Sequence, residues 1–338
     1  MVGARMIRNI RNYLLCIILL CSCTQQPAAG QVSTLEPTIA ITLTSTLLPS
    51  ATATLIKPTS TFTPVPTPRI IPTFKNIVMI LFENREFGFV IGNSQMPNYN
   101  RLAKENALLT QEFAIMHPSL PNYLALIGGD TFGITSGCEN CFISAHTLVD
   151  DIEAAGMTWK TYQEDFPRPC FLGSTDKYAQ NHNPFIYFDS IRLDKDRCNS
   201  HIVNLKELPN DLQSGSLPNF VFIMPNLCNS AHDCDLKTAD TWLGPWIDQL
   251  QAYPGMNEDG LIILTWDEGQ GEHGCCGIEP AGGRVATVFI SDKVKPGVQD
   301  KTPYTHYSIL KTISAAWGLP QIGKAALPEN RLITGIWK

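Results

Sequence analysis

Five short runs stand out, residues 76–82, 158–163, 219–224, 261–266 and 285–290, and most of them are almost continuously apolar and rich in Ile, Val, Leu and Phe. A strand with one wet face alternates apolar and polar residues, whereas a strand covered on both faces has no such need. These runs therefore read as buried strands. Longer amphipathic stretches separate them. Residues 146–155 repeat apolar positions at helical spacing and stop at Gly156, and residues 307–317 stop at Gly318. Residues 239–253 form a third candidate, with Pro245 expected in a first turn or at a kink. Another helix is expected to begin near Pro121, because proline suits the first helical position. This alternation predicts an α/β fold, a mostly parallel central sheet with helices on both faces.

The chain changes character near residue 73. Residues 24–73 are rich in Thr, Ser and Pro, with Glu36, Lys57 and Arg69 almost the only charges. Such a composition cannot bury enough apolar surface to offset chain entropy, so this stretch is expected to be a disordered linker, extended around 63–68. Residues 1–23 read as a signal peptide. Arg5, Arg8 and Arg11 precede an apolar run over 13–20, which is too short to cross a bilayer. The run ends in Leu20-Cys21-Ser22-Cys23, similar to the motif in which a bacterial lipoprotein is lipidated, here at Cys23. The expectation is an extracytoplasmic, membrane-anchored lipoprotein at the cell surface or in the periplasm, with a folded domain over 74–338. Eight further cysteines, an even number, predict disulfides in an exported chain and leave the pairing open. Cys138-x-x-Cys141 also reads as a redox pair or half a zinc site, but a structural bridge is expected. The net charge of −6 argues against a nucleic-acid partner.

Residues able to do chemistry stand just after the apolar runs. Glu83-Asn84 follows 76–82, Asp267-Glu268 follows 261–266, and Pro225-Asn226 with His232-Asp233 follows 219–224. In open α/β sheets the carboxyl ends of the strands form the ligand crevice. Four carboxylates and two amides are therefore expected at one edge. Converging carboxylates repel one another unless a cation sits among them, and hard oxygen donors suit a divalent ion whose identity stays open among Ca, Mg, Mn and Fe. Ser119 lies at the start of the expected helix, where N–H groups and the helix dipole favour an anion. The chain has no Gly-x-Ser-x-Gly elbow, so metal activation is the coherent way to make this serine a nucleophile. Ser119 taken alone also reads as a helix cap.

Six blocks then carry a family resemblance. They are Glu83-Asn84-Arg85-Glu86-Phe87 with Ile91-Gly92, Pro118-Ser119-Leu120-Pro121-Asn122-Tyr123, His182-Asn183-Pro184-Phe185, Pro225-Asn226 with His232-Asp233, Thr265-Trp266-Asp267-Glu268-Gly269, and Thr305-His306-Tyr307-Ser308. Together they resemble, in order, the bacterial phosphoesterase family of acid phosphatases and phosphatidylcholine-type phospholipases C, within the alkaline phosphatase superfamily. The resemblance implies a phosphate ester substrate. It implies that Glu83, Asn84, Asp267, Glu268 and Ser119 ligate the metal and that Ser119 is phosphorylated. Asn122, His182, His232 and His306 would contact phosphate oxygens, and His306 or His182 would protonate the leaving group. Asn140 is implied as a further phosphate contact. Asn229 stands where relatives often show Asp, which puts a two-metal site in doubt. His201 and His273 are expected as exposed loop histidines, and His117 as a hydrogen-bonding neighbour of the nucleophile. The leading expectation is a phosphomonoesterase. The alternatives are a phospholipase C-type phosphodiesterase and a non-catalytic surface binding module.

Overall fold

The strands follow from the apolar runs. β1 (Asn76–Phe82), β2 (Ala107–Phe113), β3 (Trp159–Gln163), β4 (Ile202–Asn204), β5 (Phe220–Met224), β6 (Gly260–Trp266), β7 (Arg284–Ile290), β8 (Gln299–Asp300) and β9 (Tyr304–Thr305) belong to one sheet. The structure is a computed structural model that describes residues 70–278 and 281–338. The expected signal peptide, Cys23 and nearly all of the expected linker lie outside the described residues.

The strand order is β4-β3-β5-β1-β6-β7-β2-β8, with β9 also paired to β2. Only β7, among the described residues, runs against its neighbours β6 and β2; the other pairs are parallel. The central strand β1 is buried along its whole length. Ile77, Met79 and Leu81 point into one core, and Val78, Ile80 and Phe82 into the other. Helices Ser119–Gly128, Leu148–Ala154 and His306–Trp317 cover the first face. Pro97–Glu105 and Leu236–Ala252 cover the second. Each such buried aliphatic side chain contributes about 1.5–3 kcal/mol. That two-sided burial explains why β1 shows no polar alternation.

Several expectations shift. The helix expected near Pro121 begins at Ser119, so the serine is its first residue and Pro121 its third. The helix expected over 239–253 is Leu236–Ala252: the Asp235 carboxylate accepts from the Thr238 N–H (2.9 Å) and hydroxyl (2.7 Å), which starts it earlier and leaves Pro245 inside. All eight cysteines of the domain pair, as Cys138–Cys141, Cys170–Cys198, Cys228–Cys234 and Cys275–Cys276.

Candidate active site

Register places the first two carboxylates. β1 and β6 run parallel with Phe82 opposite Trp266, so the next residues, Glu83 and Asp267, leave the sheet side by side. Asn84 adopts a left-handed conformation (φ 58°), which asparagine tolerates better than most residues. That turn aims its N–H at Asp267 Oδ1, 2.9 Å away. The Asn84 side-chain amide lies 3.4 Å from Glu83 Oε2.

Ser119 opens its helix from the neighbouring face. Its hydroxyl donates to Glu83 Oε2 at 3.1 Å. Residues three and four positions on share its helical face. Tyr123 donates to Glu83 Oε1. Asn122 is fully buried; its Oδ1 accepts from the Ile115 N–H (2.8 Å), while Nδ2 donates to the Met116 carbonyl (2.6 Å) and lies 3.4 Å from Glu268 Oε2. It borders the carboxylates while bracing the loop that leads to the serine. His117, in that loop, places Nδ1 3.0 Å from Glu268 Oε2 and Nε2 3.1 Å from the Gly271 carbonyl.

Two histidines face the same cluster. His182 lies in a short turn of helix, buried, with Nε2 3.4 Å from Glu83 Oε1 and its ring stacked on Tyr123. His232 comes from the loop after β5 and lies 5.4 Å from the His182 ring. Its Nδ1 lies 2.6 Å from Asp233 Oδ1. Glu83, His182 and His232 each offer one ligand atom, and these atoms lie within 4.8 Å of one another.

Electrostatics follow from burial. Glu83 and Asp267 are both fully buried, and each carboxyl is held above its ordinary range, first by burial. The nearby Asp267 charge raises Glu83 further. Glu268 is pushed up to about 9 by burial and then by Asp267. Burial, and then the nearby His232, pulls the His182 imidazole down to about 3, so the ring is neutral. Asp267 Oδ2 is buried with no hydrogen-bond partner among the described residues. Three crowded carboxyl groups, one with an open oxygen, are what a divalent cation would satisfy.

Other expected residues sit elsewhere. His306 is fully buried at the start of its helix; Nε2 lies 2.6 Å from the Asp267 carbonyl and Nδ1 3.6 Å from buried Glu112. Both nitrogens face protein, which removes the geometry expected of a leaving-group acid. Asn140 is exposed in the Cys138–Cys141 loop and makes no hydrogen bond to the cluster among the described residues. His201 is not an exposed loop histidine: it closes helix Lys195–His201 and stacks on Trp159 at 4.4 Å. His273 is exposed, as expected.

Three residues escape a reading by strand ends. Tyr123 was recoverable from helical spacing, four residues after Ser119. Glu112 sits inside β2, where a lone carboxylate gives no signal. Glu86 accepts from the Gln270 and Gly271 N–H groups (both 3.1 Å) and the Arg284 N–H (3.0 Å), and so pins the glycine-rich loop after Glu268. A side chain at Gly269 or Gly283 would strike that carboxylate.

The phosphoesterase family profile matches residues 93–320. The chain belongs to the phosphoesterase family. The matched span holds Ser119, His182, His232, Asp267 and His306, while Glu83 and Asn84 precede it. Similar phosphoesterases include a phosphate-repressible acid phosphatase of Penicillium chrysogenum, 34% identical over 77% of this chain and 63% of its own length. A phosphatidylinositol-3-phosphatase of Mycobacterium tuberculosis is 32% identical over 79% of this chain and 84% of its own. An acid phosphatase of Aspergillus fumigatus is 33% identical over 74% of this chain and 56% of its own. The chain therefore spans less than two thirds of the length of two of those relatives. Its fold is similar to that of a Vibrio parahaemolyticus protein in the alkaline phosphatase superfamily, with a TM-score of 0.53 at 15% identity over 77% of this chain and 72% of that one. It is also similar to a lipoteichoic acid synthase from Listeria monocytogenes, with a TM-score of 0.57 at 11% identity over 80% and 78%.

Proposed function

We propose that this phosphoesterase is a metal-dependent phosphomonoesterase that works through a phosphorylated Ser119. The observation that carries the reading is Ser119 Oγ at a helix N-terminus, 3.1 Å from Glu83 Oε2, the carboxylate that clusters with His182 and His232. Glu83, Asn84, Asp267 and Ser119 would hold a divalent cation, with Glu268 adjoining. The cation would offset the carboxylate charge and favour the ionised serine hydroxyl.

Glu83 accepts the hydrogen bond of the Ser119 hydroxyl and so fixes the direction of its lone pairs. As the Ser119 proton passes to Glu83, Oγ attacks phosphorus and displaces the alkoxide; water later cleaves the phosphoserine, releasing inorganic phosphate and returning the proton to Ser119. The neutral His182 ring donates a hydrogen bond to a phosphoryl oxygen. His232, with Nδ1 held by Asp233 and Nε2 left for the site, protonates the leaving oxygen. This assignment replaces His306, whose nitrogens both face protein. The acid phosphatases among the relatives support a monoester substrate.

The test pairs p-nitrophenyl phosphate with p-nitrophenyl phosphorylcholine, with and without chelator. The monoester should be the better substrate, chelator should abolish turnover, and Ser119→Ala should be inactive yet folded. Full activity of Ser119→Ala would sink the mechanism.

The domain over 74–338 is proposed to act outside the cytoplasm, which its four disulfides support. Anchoring through Cys23 is part of the same proposal; palmitate labelling lost in Cys23→Ala is the check.

A further inference from the structure

His232 has no strand or helix of its own to position it. It rides on a loop that leaves β5 at Pro225, and the next helix does not begin until Leu236. Ala231, just before it, is held at φ 70°, a left-handed conformation that a residue with a Cβ rarely adopts. Something outside the loop must keep it there.

The structure shows what does. β3 lies beside β5 with Gln163 opposite Met224, so Glu164 emerges next to the root of the loop. Glu164 Oε2 accepts from the Asn226 N–H at 2.9 Å and from Asn229 Nδ2 at 2.9 Å. Its Oε1 accepts from Asn229 Nδ2 at 3.0 Å and from the Trp242 indole N–H at 3.2 Å. A carboxylate bound from several directions is a strong, directional anchor. From there the bonds run inward. The Asn226 carbonyl accepts from the Ser230 N–H, and the Ser230 carbonyl accepts from the Glu83 N–H, both at 2.8 Å. The Cys228–Cys234 disulfide closes the same stretch.

We propose that Glu164 is a positioning residue: through Asn226 and Asn229 it clamps the loop and holds His232 against Glu83 and His182. The inference rests on the phosphomonoesterase reading for its catalytic consequence, but the clamp itself does not. The polarity of the clamp is specific. An aspartate at 229 would set one carboxylate against another, whereas the asparagine amide donates to both Glu164 oxygens. Asn229, a departure from the family pattern at sequence level, has here a local physical reason.

Four variants test it: Glu164→Gln, Asn229→Asp, the two combined, and Glu164→Gln on a His232→Ala background. Hydrogen exchange of residues 227–234 and the rate of His232 modification by diethyl pyrocarbonate report on the loop without any need for turnover. The expected result is faster exchange and faster modification in each clamp variant, and kcat on p-nitrophenyl phosphate lower by roughly tenfold to a hundredfold with KM changed far less. The combined variant, which restores an amide against a carboxylate with the roles reversed, should recover part of both readouts. On the His232→Ala background Glu164→Gln should cost nothing further, because both act through one group. Unchanged exchange and modification in Glu164→Gln would overturn the clamp. A kcat loss additive with His232→Ala would overturn its action through that histidine. If the wild-type protein cleaves no phosphate ester, the functional reading fails, and exchange of the loop still decides for or against the clamp.

Discussion

Without the proposed cation this domain should lose stability as pH rises, over the range where most proteins are indifferent. Glu268 is the measure. Its carboxyl stands at about 9 in the folded chain against an ordinary value of 4.5, so the folded state binds a proton that the unfolded state has already lost. A raised carboxyl leaves stability whole below about 4.5 and erodes it until about 9. Between those limits one such group costs about 1.4 kcal/mol per pH unit, or roughly 3 kcal/mol at neutral pH. Glu83 and Asp267 shift in the same direction and steepen the slope. A divalent cation replaces those protons, so its binding should release at least one proton near pH 7 and flatten the dependence. The assay is urea unfolding of the chelated protein from about pH 5 to about pH 8, repeated with cation, with proton release read by a pH indicator dye in weak buffer. A chelated protein whose stability is flat or rises across that range, or a cation that binds without releasing protons, would refute the reasoning.

Two further outcomes follow from single contacts. Tyr123→Phe removes the hydroxyl that donates to buried Glu83; the expected loss is about 1.5–3 kcal/mol in urea unfolding, the worth of a hydrogen bond to a charged group, together with a lower kcat on p-nitrophenyl phosphate. Glu86→Ala frees two backbone N–H groups of the loop after Glu268 and that of Arg284 at the start of β7; the expected loss is about 2–4 kcal/mol in urea unfolding, and loop exchange should rise before the sheet melts.

β1, β5, β6 and β7 were legible because both faces of each are covered, which leaves few polar residues in them; β3 keeps Lys160, Thr161 and Gln163 and gives a weaker signal. β2 was not legible, since Thr110, Gln111 and Glu112 interrupt it and its register against β7 shifts between Leu109 and Glu112. Its buried Glu112 makes sense only beside His306, nearly two hundred residues away in sequence. β8 and β9, at two residues each, carry no pattern at all. The candidate site shows the same division. Glu83, Ser119 and Asp267 were nameable from strand ends and a helix start. The parting of His306 from His182 and His232 was not, because a histidine after a strand looks the same whether its ring turns to the cleft or into the core.

The residue order by itself determined which side chains reach the carboxyl edge of the sheet, because a buried strand must end before a polar group can appear. It also determined the buried sheet, through apolar runs that admit no wet face. Which of those polar groups meet was decided only by packing. The parallel register of β1 with β6 sets Glu83 beside Asp267, and the clamp at Glu164 brings in His232. Such pairings depend on distances across strands rather than along the chain, and the free energy that selects them comes from burying neighbours the local sequence does not contain.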